Sequence, residues 1–266
     1  MERSVAANLG GRLETIDAAL IDELGGALEM ARIDSGMLAD GVYQLLRDAI
    51  VSGRIPANTH LSQIPLAGAL GVSRTPIRDA LLRLSQDGLI RSVGGRGYLV
   101  EAVEITEVAE IYEVRRCLVE WALSLVRGRI SATDLWEARR IHQEMTNPDQ
   151  LEASRYFDLN RAFHRAFIRS CPNRTLLLLI DRLWELPTSQ RMFTRYSTDW
   201  GNVVKMIREH ETILETAERG DHDALVQLVL AHISDAAVDT TAFIARQAEA
   251  DVEGGNRNPD ADRVSA

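Results

Sequence analysis

Apolar positions along the chain fall at helical spacing over most of its length. In "ADGVYQLLRDAIVSG", Val42, Leu45, Leu46, Ala49 and Ile50 share one helical face, and Gly53 fits a C-terminal cap. "LSQIPLAGALG" predicts a short second helix. Ser62 is its N-cap, Pro65 lies in its first turn and Gly71 closes it. A third helix follows within four residues, with Ser73 at its start. Pro76 falls in the first turn, where a missing N–H costs no hydrogen bond. Ile77, Leu81 and Leu84 form its buried stripe. The rhythm then changes to alternation. "GLIRSVGGRGYLVEAV" predicts two short strands, 89–93 and 98–103, joined by a glycine-rich turn.

From 105 to 247 the pattern is helical throughout. It predicts helices over 106–128, 132–146, 150–170, 174–195, 199–219 and 221–247, with a kink or break at Pro187. The fold class is therefore mainly α. It comprises an N-terminal winged helix-turn-helix and a C-terminal all-α bundle. Four segments result: an extension over 1–36, a winged helix-turn-helix head over 37–103, an all-α domain over 105–247 and a disordered polar tail over 248–266.

Composition adds a class. No uninterrupted apolar run approaches 18 residues and the N-terminus has no signal-peptide core, so a cytoplasmic, non-membrane protein is expected. Cys117 and Cys171 have no metal or redox spacing and read as buried free thiols. The net charge of -9 excludes a protein that coats nucleic acid through bulk charge. The charge is uneven, however. Residues 37–100 carry seven arginines against four aspartates, a local surplus of three positive charges. A basic face on an acidic molecule suits a compact DNA reader.

The third helix carries the chemistry for that task. Its N-terminal N–H groups and positive dipole end suit phosphate. Ser73 and Thr75 add hydroxyls there. Arg74 leaves the first turn toward solvent, and Arg78 can reach a guanine edge in the major groove. Arg96, between Gly95 and Gly97, projects from the wing turn toward the minor groove.

"VYQLLRDAIVSGRI", "GVSRTPIRDALLRLSQDGLI" and "GGRGYLV" resemble the DNA-binding domain of the GntR family of bacterial transcription regulators. The resemblance implies phosphate contacts from Arg74 and Thr75, base reading by Arg78 and a minor-groove position for Gly97. It covers about 60 residues and has departures. "PANTHL" replaces a common Pro-Gly-Glu-Arg-Leu run, Ile64 stands where an arginine often grips the backbone, and Gln63 where an acidic residue is usual.

The second half, in "IYEVRRCLVEWALSLVRGRIS", "NRAFHRAFIRSCPNRTLL", "REHETILETAERGD" and "LAHIS", resembles the FCD effector domain of the FadR subfamily. These motifs hold His164, His210 and His232 on three predicted helices, and Asn160 lies one turn before His164. Read singly, each histidine fits a packed or hydrogen-bonded core position. The resemblance implies a divalent metal held by these three with an aspartate, whose place Asn160 takes. Imidazole donors suit zinc, nickel or copper, with zinc or nickel expected. Arg115 matches an arginine that often faces the family's ligand pocket, while read by itself it fits a surface ion pair equally well. The glutamate usual four residues later is absent, and Val119 stands there. Asn173 reads as a helix cap. His60, His142 and His222 lie outside the motifs and read as surface residues.

The expected function is a DNA-binding regulator, a repressor in the commoner family pattern. A homodimer reads a pseudo-palindromic operator, and a small organic acid in the C-terminal cage modulates it. A metal-dependent hydrolase would need a general base. The chain has no H-E-x-x-H, and Glu209 and Glu211 project about 100° to either side of His210. A binding protein without DNA recognition has only Ile64 in its favour. No enzyme is expected.

Overall fold

The computed structural model describes residues 38–146 and 153–255. The expected extension over 1–36 lies outside these residues, as does the final part of the predicted tail. The chain divides into two compact units between Ala102 and Val103.

The first unit runs α1 (Leu38–Val51), β1 (His60–Leu61), α2 (Gln63–Ala69), α3 (Arg74–Gln86), β2 (Ile90–Ser92) and β3 (Tyr98–Val100). Helix α1 ends because Gly53 takes a φ of 78°, letting Gly53 N–H reach the Ile50 carbonyl and Ile55 N–H that of Ala49. Helices α2 and α3 are joined by Gly71, at φ 62°. Ser62 and Ser73 stand at the N-cap positions, yet neither side chain makes a capping hydrogen bond. Ser62 turns to the His60 ring instead. Leu46, Ile50, Ile77, Leu81 and Leu84 are fully enclosed and form the core with Leu61 and Ile90.

The wing is a three-stranded antiparallel sheet in the order β1-β3-β2. Two strands were legible in the sequence, and β1 was not, because two residues show no alternation. Strand β1 explains Gly97. A Cβ there would sit 2.5 Å from the Leu61 carbonyl oxygen, and the residue's φ is 118°. The glycine is thus demanded by strand packing, whatever the wing meets outside.

The second unit contains α4 (Ile105–Leu125), α5 (Ala132–Met145), α6 (Ala153–Ile168), α7 (Arg174–Glu185), α8 (Pro187–Tyr196), α9 (Trp200–Glu218) and α10 (His222–Gly255). The predicted helix over 174–195 is two helices. Leu186, held extended before Pro187, ends one, and the proline starts the next at N1. Side chains fix several starts. Ser131 and Asp134 form a capping box on α5, Asn173 caps α7 and Asp199 caps α9. Helix α10 continues to Gly255, past the predicted end at 247, because "AEADVE" holds only helix-tolerant residues before Gly254. By length and composition His222–Arg246 is apolar enough to cross a membrane, although polar residues interrupt its apolar sequence. Its Leu225, Val229, Leu230 and Ile233 are buried in the helical unit.

Two predicted environments are corrected. Cys117 is exposed, since it lies off the buried face of α4, while Cys171 is buried. His142 is a core residue, not a surface one, at 4% exposure. Its Nε2 lies 3.1 Å from the Ile207 carbonyl and its Nδ1 3.1 Å from Glu211. Each ring nitrogen thus has an oxygen acceptor within reach, and a buried ring needs such partners.

Replacing Gly97 by alanine is expected to cost about 1–3 kcal/mol through backbone strain and the clash with β1. Guanidinium unfolding followed by far-UV circular dichroism should show the loss. An unchanged midpoint would refute this packing role.

Candidate functional sites: a basic helix end and a histidine cage

The first site is the open end of α3. Ser73, Arg74, Thr75 and Arg78 are all exposed, while Pro76 and Ile77 between them are buried. The buried pair anchors the turn and leaves the others outward. Arg74 and Arg96 have no acidic partner among the described residues. Arg78 holds only a solvent-exposed contact to Asp79 at 3.3 Å, an interaction worth about 1 kcal/mol at most. Arg83 is committed elsewhere, paired with Asp40 and lying over the Tyr43 ring. Arg96 is exposed at the tip of the wing, where Gly94 and Gly95 take positive φ. Ile64 on α2 is 67% exposed, so no core requirement accounts for an aliphatic side chain there.

The second site lies within the helical unit. Each of its polar residues interrupts an apolar stripe. On α4, Arg115 sits in the buried series Val108, Ile111, Val119 and Ala122. On α9, His210 sits between Met206 and Ile213. His232 on α10 and the pair Asn160 and His164 on α6 complete the set. One ligand atom from each of the three histidines lies within 4.8 Å of the others. His210 is fully buried and stacks on Phe163 at 4.2 Å. Its Nε2 is 3.3 Å from Nε2 of His232. Two imidazoles on one tetrahedral zinc, at about 2.0–2.1 Å each, have their nitrogens roughly 3.3–3.4 Å apart. That pair therefore already has the spacing an ion requires.

Asn160 and His232 agree with this, while His210 Nδ1 is buried without a hydrogen-bond partner among the described residues. Asn160 is 5% exposed, and its side-chain oxygen has no hydrogen-bond donor among the described residues. A buried acceptor left so is costly, and a cation would satisfy it. His232 donates from Nδ1 to Glu209 at 2.7 Å, which turns an Nε2 lone pair toward the other rings. The residues present fit a divalent ion: Asn160, His164, His210 and His232 would hold it. When bound, such an ion supplies a positive centre able to take an oxygen ligand.

Asn160, His164 and His232 line a cavity with an internal void of ≈ 60 Å³, the space of about two waters. Most of its wall is apolar, from residues such as Leu123, Phe167 and Met206. Arg115, Arg165, Glu209 and Asp239 are its charged lining residues, and Arg115 is the most deeply buried cation among them. It is 5% exposed, its Cζ lies 4.1 Å over the Trp184 ring, and it donates to Ser189 at 3.2 Å. Its Nε has no acceptor, and no carboxylate pairs with it among the described residues. Burial lowers its pKa from the ordinary arginine value, yet a guanidinium stays charged. The absence of a glutamate at 119 thus leaves a buried cation facing a cavity, not a surface ion pair.

Residues 38–100 match the family described as bacterial regulatory proteins, gntR family, and residues 110–235 match the FCD domain. The chain belongs to the GntR family. Its FCD domain places it in the FadR-type architecture, and it is a DNA-binding transcriptional regulator. The chain is 28% identical over 194 residues to the uncharacterized HTH-type transcriptional regulator YdhC of Bacillus subtilis, covering 72% of this chain and 86% of that one. To the HTH-type transcriptional repressor RspR of Escherichia coli it is 23% identical, over 73% of this chain and 85% of that one. A GntR structure from Rhodococcus sp. RHA1 shares the fold, with a TM-score of 0.60, 21% identity, and coverage of 77% of this chain and 97% of that one.

Glu209 and His142 are what sequence reasoning missed in this GntR chain. Glu209 is read there only as a failed general base, whereas it holds a cage ring. Its signal was its place beside His210 on a helix facing another histidine-bearing helix.

The cage also predicts an acid response. Burial, first of all, holds His164 and His210 well below the ordinary histidine pKa, and the like charge of His232 adds to this. Both stay neutral in the fold while unfolded histidines gain protons below about pH 6.5. Their contribution is therefore complete above that pH and is lost as pH falls toward the folded values. Each can add a slope of up to about 1.4 kcal/mol per pH unit in that window. Urea unfolding of the metal-stripped chain should show a shallower slope between pH 7 and 5 for His210→Phe than for the parent. Identical slopes would refute it.

Proposed function

We propose that this regulator is a ligand-responsive repressor acting in the cytoplasm. A homodimer binds a pseudo-palindromic operator, and a small organic acid in the C-terminal cavity, held beside a divalent ion, weakens that binding. The observation that carries the effector reading is Arg115, a buried guanidinium without a carboxylate, lining the same cavity as Asn160, His164 and His232. An isolated buried charge is costly, and a carboxylate reaching both the guanidinium and the ion would neutralise it. Zinc or nickel suits the imidazole donors. The cage has a sensing role in this reading and no catalytic one.

Operator binding belongs to the α3 end and the wing. Ser73, Arg74 and Thr75 hold phosphate, Arg78 reads a base, and Arg96 and Gly97 approach the minor groove. Two such heads would read half-sites about 34 Å apart. The acid acts only so far as it binds one arrangement of the heads better than the other.

The test is an operator-shift assay on DNA flanking the gene. Arg78→Ala is expected to cost about 1–3 kcal/mol and to relax sequence preference. Arg74→Ala should weaken binding evenly across sequences and reduce the salt slope by about one. In the same assay a panel of small mono-, di- and tricarboxylates should contain one that releases the DNA. Arg115→Met should then raise the concentration needed by roughly tenfold or more. Unchanged DNA binding in the arginine variants would refute the head assignment. An acid response that survives unchanged in Arg115→Met would refute the effector site.

A further inference from the structure

We infer that Glu209 is a positioning residue that supplies, through the His232 ring, the negative charge the cage lacks at Asn160. This rests on the metal-holding reading of the cage. The donors themselves are neutral: three imidazoles and one carboxamide. A divalent ion among them would be buried without a countercharge, which is unfavourable. The structure provides one at second remove. Glu209 Oε2 accepts from His232 Nδ1 at 2.7 Å. A carboxylate in that place fixes the ring orientation, keeps Nε2 unprotonated and raises its basicity toward a metal.

The placement follows from helix geometry. Glu209 and His210 are consecutive on α9 and point about 100° apart. One helix thus delivers His210 to the cage and, to one side, Glu209 to His232 on α10. Lys205, one turn earlier, lies 3.8 Å from Glu209 and 2.5 Å from Asp239 on α10. This tie spans the two helices beside the Glu209–His232 contact. Glu211, on the other flank of His210, is engaged by Arg139 at 2.6 Å and His142 at 3.1 Å and so does not serve the cage.

The experiment titrates the metal-stripped full-length protein with Zn²⁺ against a chromophoric chelator. Glu209→Gln is expected to weaken Zn²⁺ binding roughly 10- to 100-fold. Adding Asn160→Asp to that variant should restore most of the loss, because it returns the charge directly to the ion; a role in packing alone predicts no rescue. Co²⁺ gives a second readout, with the visible d–d bands of Glu209→Gln shifted from those of the parent. Glu209→Asp keeps the charge and should bind more tightly than the glutamine variant, which serves if the latter folds poorly. Binding of Zn²⁺ by Glu209→Gln within about twofold of the parent, or no rescue by Asn160→Asp, overturns the inference and leaves the cage standing. A folded parent that takes up no Zn²⁺ overturns both.

Discussion

A buried polar atom must find a partner, and the helical unit is arranged around that requirement. Three imidazoles, a carboxamide and a guanidinium lie inside an aliphatic and aromatic core, at places in each helix where an apolar side chain would be the cheaper choice. His142 shows how the requirement is met internally, with an oxygen at each ring nitrogen. The Asn160 oxygen and Arg115 Nε have no such partner. Stacking on Phe163 and Trp184 fixes the rings and the guanidinium but satisfies none of their hydrogen bonds. Atoms of both electrical senses are thus left open around one cavity. A cation for the nitrogen and oxygen donors and an anion for the guanidinium would complete the set.

The DNA-binding unit obeys the opposite rule. Arg74, Arg78 and Arg96 are left exposed to water, so no desolvation is incurred until a phosphate or base replaces the solvent. What the fold must supply there is rigidity under the exposed side chains. The buried Pro76 and Ile77 fix the first turn of α3, and the β1 carbonyl at Leu61 leaves room only for glycine at 97. The chain's excess negative charge lies outside residues 37–100, which themselves carry a surplus of three positive charges.

Local features were legible in the sequence where a single residue type decides them. Gly53, Gly71 and Pro187 mark real chain reversals or helix starts, and the capping role of Asn173 is as read. The stripe positions of His164, His210 and His232 also placed them inward. What stayed hidden depends on neighbours from other helices. The burial of His142 needs the Ile207 carbonyl and Glu211 on α9, and nothing in its own helix announces them. Strand β1 exists because β3 offers it an edge, and two residues carry no pattern. Ser62 and Ser73 have the right identity for caps, but no capping bond forms. Arg115 was ambiguous because an arginine on an amphipathic helix usually reaches solvent. Only the packing of α4 against α7 and α8 encloses it.

The central claim is that the cage is built for an ion despite the neutral Asn160. Elemental analysis of the full-length protein, purified without chelators or added metal, tests this most directly. The account predicts close to one equivalent of a divalent transition metal per chain, retained through dialysis and lost in His210→Ala. A folded parent chain with no bound metal, and no uptake when zinc or nickel is supplied, would contradict it.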